Sequence, residues 1–307
     1  MQTIANRYQL ITTVGQGNMG AVYRCVDKLT SETVALKRVL IGKDLGFSAT
    51  VSQNTNARTA LIQEFKMLAT LRHPNIISVL DYGFDADRVP FFTMNWLDNA
   101  DYFVTACQKV SMEDKLDLIT QVLQALVYLH RRGIIHRDIK PTNVLVQNGQ
   151  VKLLDFGLAT GDTASPSDEG VVGTLQYIAP EILRGDGATF SSDLYSVGLM
   201  LYEVFAHTFP YPSQTVTQLI FDIINTPIDT TTLDVSTELQ TLIAQLLEKL
   251  PQDRPPSAES VLEQIYNMRG IQLSSESDSV RDSFLQAATF LGRETEFNML
   301  TRALDEV

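Results

Sequence analysis

The sequence predicts an α+β fold in two lobes, with a small sheet-rich lobe carrying one helix up to about residue 97 and, past a hinge, a larger helical lobe up to about residue 267. Three observations carry that expectation. The stretch GQGNMGAV, residues 15 to 22, runs on into AVYRCVDKLTSETVALKRVL, which alternates polar and apolar residues and is rich in Val, Tyr and Thr. That pattern belongs to a strand, a turn and a second strand. Downstream, TALIQEFKMLATLRHPNII sets Leu61, Leu68 and Leu71 at helical spacing. Finally, 307 residues suffice to bury a large core in one big domain or in two lobes with a tail.

Composition narrows the function classes. With 44% hydrophobic and 20% charged residues, the chain has the make-up of a packed globular protein. Lys and Arg number 24 against 36 Asp and Glu, a net charge of -12 that repels nucleic acid and anionic lipid. Neither is expected as a partner. Cys25 and Cys107 show no metal-ligand spacing and fit buried thiols in a reducing compartment. The opening MQTIANRYQL lacks the apolar core of a signal peptide, and the most apolar stretch, YSVGLMLYEVFA, is too short to cross a bilayer and carries Glu203. A cytoplasmic protein with no membrane span is expected.

The elements follow in order. Gly15, Gly17 and Gly20 have a rhythm that suits either a phosphate-cradling loop or a plain turn. A dinucleotide-binding loop would lead into a helix, and the strand pattern after Gly20 excludes that version. The turn LTSET, residues 29 to 33, closes the hairpin, and the next strand carries VALK. A period of two then sets Ala35 and Lys37 on one face. In the helix, Glu64 falls on the apolar stripe. A carboxylate there is either paired, with Lys37 as the available cation, or reaches water from the stripe's edge.

The chemistry concentrates further on. HRDIKPTN at 136 to 143 and LLDFG at 153 to 157 supply two acids, Asp138 and Asp155, with Lys140 and Asn143 between them. Oxygen ligands beside a cation suit Mg²⁺ and a phosphate. His136, between an apolar pair and the charged run, reads as a packed, hydrogen-bonded histidine.

On these motifs, in this order and at these spacings, the chain resembles a eukaryotic-type Ser/Thr protein kinase over residues 8 to 267, closest to the bacterial members. The resemblance implies ATP and Mg²⁺ as cofactors and a protein with a Ser or Thr hydroxyl as substrate, the chain itself included. It implies that Gly15, Gln16, Gly17, Asn18 and Gly20 cover the phosphates, and that Lys37, paired to Glu64, holds the α- and β-phosphates. Val22, Ala35 and Leu145 would enclose adenine, FFTMNWL would be the strand and hinge that grip it through Asn95 and Leu97, and Met94 would guard the back pocket. Asp138 would accept the hydroxyl proton, Lys140 would steady the γ-phosphate, and Asn143 and Asp155 would hold Mg²⁺. GTLQYIAPE would receive the substrate, with Thr174 beside Asp138 and Glu181 anchored by Arg254, while Asp193 would brace the catalytic loop. A scaffold without turnover would lack one of these ligands, and Lys37, Glu64, Asp138, Asn143 and Asp155 are all present.

Three departures stand out. LIGKDLGFSATVSQNTNARTA, before Glu64, is longer than the family's usual connection and reads as a mobile loop, either a tolerated insertion or a docking site. Arg137 precedes Asp138, which in the family accompanies control by phosphate on the activation loop, where Thr163, Ser165 and Ser167 are candidate acceptors. Yet Thr160, Asp168 and Glu169 fit a loop held open without modification equally well. Thr142 replaces the Glu carried by many relatives that favour basic peptides. Beyond the kinase-like region, residues 268–289 read as a polar linker, and residues 290–307, with Phe297, Leu300 and Leu304 at helical spacing, as a helical tail. That tail resembles the opening of an ATPase module, and it equally suits a docking helix of the kinase itself.

Overall fold

The computed structural model describes residues 2–17, 20–39, 51–155, 175–213 and 215–271, with backbone only for residues 17, 51–58 and 60. The small lobe is a six-stranded antiparallel sheet of β1 (Thr3–Ile4), β2 (Tyr8–Gly17), β3 (Gly20–Asp27), β4 (Thr33–Arg38), β5 (Val79–Phe84) and β6 (Pro90–Asn95), in the order β1-β2-β3-β4-β6-β5. The hairpin read from the alternation is present, with Val22 opposite Lys37 and Arg24 opposite Ala35. Gly20 is required where it stands. A Cβ there would lie 2.3 Å from the Arg38 carbonyl oxygen, and its φ of 154° is one that side-chain-bearing residues rarely adopt.

The sheet buries both faces. Tyr8, Cys25, Val34, Leu36 and Phe91 make a small outer core, and Ala35, Phe92 and Met94 join the main one. Helix α1 (Val51–Thr70) packs on the main-core side through Leu61 and Leu68. Its start corrects one expectation. The polar composition of residues 40–60 predicts a loop throughout, but the helix already begins at Val51. From there to Glu64 the chain holds no glycine or proline, so nothing breaks the helical ladder even without an apolar stripe. Residues 40–50 lie outside the described residues.

Past the hinge come β7 (Asp101–Tyr102), α2 (Phe103–Gln108), α3 (Met112–His130), a 3₁₀ turn at Pro141–Asn143, β8 (Val144–Gln147) and β9 (Gln150–Leu153). The three strands form a second sheet in the order β7-β8-β9. Then follow α4 (Pro180–Leu183), α5 (Phe190–Ala206), α6 (Val216–Asn225), α7 (Thr237–Leu246), a 3₁₀ turn at Pro251–Asp253 and α8 (Ala258–Met268). Caps define several starts. The Ser111 hydroxyl accepts from the Asp114 amide, and Thr189 and Ser257 open α5 and α8 with reciprocal capping boxes. Helix α5 carries the YSVGLMLYEVFA stretch and is buried along most of its length, which explains an apolar run without a membrane. No helix among the described residues is long and apolar enough to cross a membrane.

Candidate active site

The roof of the site comes from β4 and α1. Ala35 and Lys37 share the inner face of β4, as period two requires, and the Lys37 side chain is only 10% exposed. Its Nζ donates to Glu64 Oε1 at 2.8 Å and Oε2 at 3.0 Å, and lies 3.0 Å from Asp155 Oδ1. Glu64 therefore faces inward and is paired, and the alternative of a carboxylate reaching water is excluded. One cation thus meets two carboxylates. Burial disfavours the Lys37 charge, but Asp155 and Glu64 outweigh it and raise its pKa above the ordinary value. Burial pushes Glu64 up to about 7, with Lys37 opposing and Asp155 adding to the rise. Burial also works against ionised Asp155, yet Lys37 prevails and keeps it below the usual range.

The catalytic loop is held from below by α5. Asp193 Oδ2 accepts from the His136 amide and Oδ1 from the Arg137 amide, both at 2.9 Å, while His130 Nε2 lies 2.8 Å from Oδ2. These bonds hold Arg137 in the left-handed region at φ 69°. His136 is fully buried, its Nε2 at 2.9 Å from the Leu154 carbonyl oxygen and its Nδ1 accepting from the Asp138 amide, so it is the packed histidine expected. Lys140 Nζ meets both oxygens of Asp138, at 2.9 and 2.8 Å. Asn143 Nδ2 donates to the Asp138 carbonyl at 2.8 Å and to its Oδ2 at 2.7 Å. The loop's short spacing makes this cluster, and the Leu154 amide bonding to the Asn143 carbonyl at 2.8 Å brings Asp155 alongside it.

A metal fits this donor set. Asn143 commits its Nδ2 to Asp138 and leaves its amide oxygen as a ligating atom, and Asp155 adds a carboxylate; both are hard oxygen donors. Among the described residues no group of three or more His, Cys, Asp or Glu gathers as for a metal held by protein alone. Two protein ligands are the number expected where phosphate and water complete the shell.

The remaining predicted positions frame a cleft. Met94, opposite Ala35, is buried, Asn95 is exposed, and Leu97 is half-buried in the hinge. Leu145 on β8 is half-buried from the large-lobe side, as Val22 is from the small lobe. Gly15 and Gln16 pair with Val22 and Ala21, and Gly17 with Gly20, across the hairpin that bends the glycine loop. Asn18 lies outside the described residues, as do Thr160, Thr163, Ser165, Ser167, Asp168, Glu169, Thr174 and the tail from residue 272. Arg254 closes a second buried ion pair, its Nη1 and Nη2 each 2.8 Å from an oxygen of Glu181. Sequence reasoning missed two partners: Asp155 as a second contact of Lys37, and His130 on Asp193. Neither has a local signal, since each joins segments far apart in the chain.

Two lobes meeting at a lysine–carboxylate cluster, over a loop holding Asp, Lys and Asn, define the architecture of a phosphotransferase cleft. The profile of the family described as protein kinase domain matches residues 8–267, and the chain belongs to that family. Related chains include a "probable serine/threonine-protein kinase" of Streptomyces coelicolor, 31% identical over 271 residues, covering 84% of this chain and 39% of that protein. The serine/threonine-protein kinase pkn3 of Myxococcus xanthus is 32% identical over 277 residues, covering 84% of this chain and 49% of its own length. PrkC of Bacillus subtilis, also named a serine/threonine-protein kinase, is 28% identical over 221 residues, covering 70% of this chain and 33% of its own. The chain is a protein kinase domain, and it spans less than half the length of these relatives.

Proposed function

We propose that this domain transfers the γ-phosphate of ATP to Ser or Thr hydroxyls of proteins, its own chain among them. The observation that carries the proposal is the Asp138 carboxylate, clamped by Lys140 and Asn143 within 2.9 Å beside the Lys37–Asp155 contact. In this assignment Asp138 is the catalytic residue that takes the proton from the attacking hydroxyl, and Lys140 offsets charge on the γ-phosphate. Lys37 leaves Asp155 to hold the α- and β-phosphates, with Glu64 keeping its ammonium in place. Gly15, Gln16, Gly17, Asn18 and Gly20 cover the phosphates, while Val22, Ala35, Leu145, Met94, Asn95 and Leu97 enclose the adenine. Asn143 and Asp155 hold Mg²⁺, which supplies neutralisation of the phosphate oxygens when bound. The work is positioning and charge compensation, with no covalent intermediate on the protein.

Residues 8–267 are assigned as the catalytic domain, 268–289 as a linker and 290–307 as a tail that suits either the opening of a module of ATPase or signalling type or a docking helix of the kinase itself, in a cytoplasmic protein. Thr163, Ser165 and Ser167 are the assigned acceptors if the activation loop is modified. The test is transfer of labelled phosphate from MgATP to the protein itself and to a generic protein acceptor. Asp138→Asn is expected to lower transfer at least about 10²-fold with nucleotide binding retained. Undiminished transfer overturns the assignment of Asp138. Nucleotide binding with no transfer by wild type overturns the proposal in favour of a scaffold.

A further inference from the structure

Trp96 and Asp98 stand in the hinge, and the assignments above give neither a task. The Asp98 side chain is 65% exposed, yet its Oδ1 accepts from Trp96 Nε1 at 2.6 Å and lies 3.4 Å from Arg24 Nη2. The Arg24 guanidinium carbon sits 5.1 Å from the centre of the Trp96 ring. On the other side, the Asp98 carbonyl accepts from Gln147 Nε2 at 2.8 Å. Arg24 belongs to β3 in the small lobe and Gln147 to β8 in the large lobe. A single hinge residue therefore receives bonds from both lobes.

The register gives this arrangement meaning. Arg24 stands two residues after Val22 and Gln147 two residues after Leu145, so each shares a strand face with one of the two side chains assigned to opposite sides of the adenine. Any movement that separates Arg24 from Asp98 also lifts the face carrying Val22 away from the hinge. The indole is oriented by its bond to Asp98 and presents its face to the guanidinium, which is weakly hydrated and stacks readily. Arg24 Nε is shielded from solvent and has no hydrogen-bond partner among the described residues. The guanidinium is thus held by one long bond and one ring face. Such a hold biases a gap without locking it, which suits a cleft that must exchange nucleotides.

We propose that Arg24, Trp96, Asp98 and Gln147 form a strap across the hinge side of the cleft that sets the roof-to-floor separation for the adenine ring, making Arg24 a positioning residue for ATP. The proposal rests on the adenine slot assigned above. Its test measures KM for ATP and kcat in phosphate transfer, together with the fluorescence of Trp96, the chain's one tryptophan, as MgATP is added. Arg24→Ala is expected to raise KM about fivefold with kcat within about twofold of wild type, the size of one exposed ion pair plus one cation–π contact. Arg24→Lys should recover only part of the affinity, since an ammonium keeps the charge facing Asp98 but loses the guanidinium's stacking on Trp96, and Arg24→Ala combined with Asp98→Asn should be no worse than Arg24→Ala alone. The nucleotide-induced change in Trp96 emission should shrink in Arg24→Ala. An unchanged KM in Arg24→Ala, a fall in kcat alone, or additive effects in the double variant overturns the strap. Leu145→Ala separates the two readings: if it raises KM while Arg24→Ala does not, only the strap fails; if it leaves KM unchanged, the adenine slot fails and the strap falls with it. Should Arg24→Ala fold poorly by thermal melting, Asp98→Asn, at an exposed position, reads the same shift.

Discussion

Lys37–Glu64 and Arg254–Glu181 are both buried cation–glutamate pairs, yet they are built to opposite ends. The second is saturated. Arg254 donates to both oxygens of Glu181, to the Ser191 carbonyl at 2.9 Å and to the Glu248 carbonyl at 2.8 Å, and Ser192 Oγ adds a bond to Glu181 at 2.7 Å. Burial opposes ionised Glu181, but Arg254 and Ser192 hold its carboxyl below the ordinary value. The first is left unbalanced, with one ammonium between Glu64 and Asp155. The comparison teaches that a pair with every donor and acceptor spoken for fixes geometry, while a pair short of positive charge is ready to accept more of it. A metal ion and phosphate would supply that charge balance at the cleft, and nothing is missing at Glu181.

The largest expected effect tests the saturated pair. Arg254→Ala should lower the unfolding free energy by about 3–5 kcal/mol in urea titrations, because it strands a buried carboxylate. A loss below about 1 kcal/mol would show that the pair is not the clasp described. Next, Lys37→Met should lower phosphate transfer about 10²–10³-fold and also lower the urea midpoint, since it strands Glu64 and Asp155, but by less than Arg254→Ala does, because Glu64, already pushed up to about 7, takes up a proton once its cation is gone. A stability loss as large as that of Arg254→Ala would erase the contrast.

The two glutamates should also differ in the sign of their pH dependence. Glu64 titrates near 7 in the nucleotide-free protein against about 4.5 in an unfolded chain, so the folded state holds the extra proton between those values. Its contribution to stability is present below about pH 4.5 and is lost as pH rises to about 7, by up to about 3 kcal/mol. Glu181, with its pKa lowered, contributes above about pH 4.5 and loses that contribution as the pH falls further. Unfolding free energies measured from pH 4 to 8 for Glu64→Gln and wild type should diverge within the first window, and parallel curves would contradict it. The smallest effect is Ser192→Ala. Loss of its bond to Glu181 and of the capping-box bond it accepts from the Thr189 amide should cost about 1–2 kcal/mol and leave transfer unchanged, as a melt and a kinase assay on the same sample would show.

Much of the site was legible because its signals are local. The β3–β4 hairpin, the shared face of Ala35 and Lys37, and the inward side of Glu64 follow from periods of two and 3.6. Asp138, Lys140 and Asn143 lie within one short loop. The start of α1 was not legible, since residues 51–60 carry no apolar stripe and helix formation there extends from the packed turns that follow. Nor was the hinge strap, because Trp96 reads as an ordinary partly buried aromatic until Arg24 is seen above it.

What the amino-acid order determined by itself was which face each strand and helix turns inward and which short loop carries the acid, the lysine and the amide. Those depend on neighbours only a few bonds away. Tertiary structure alone decided which charges meet: Lys37 and Glu64 are 27 residues apart, His136 and Asp193 57, and Arg254 and Glu181 73. Whether such a pair ends up saturated or short of charge depends on every group that folding packs around it, and that environment shifts Glu64 and Glu181 in opposite directions.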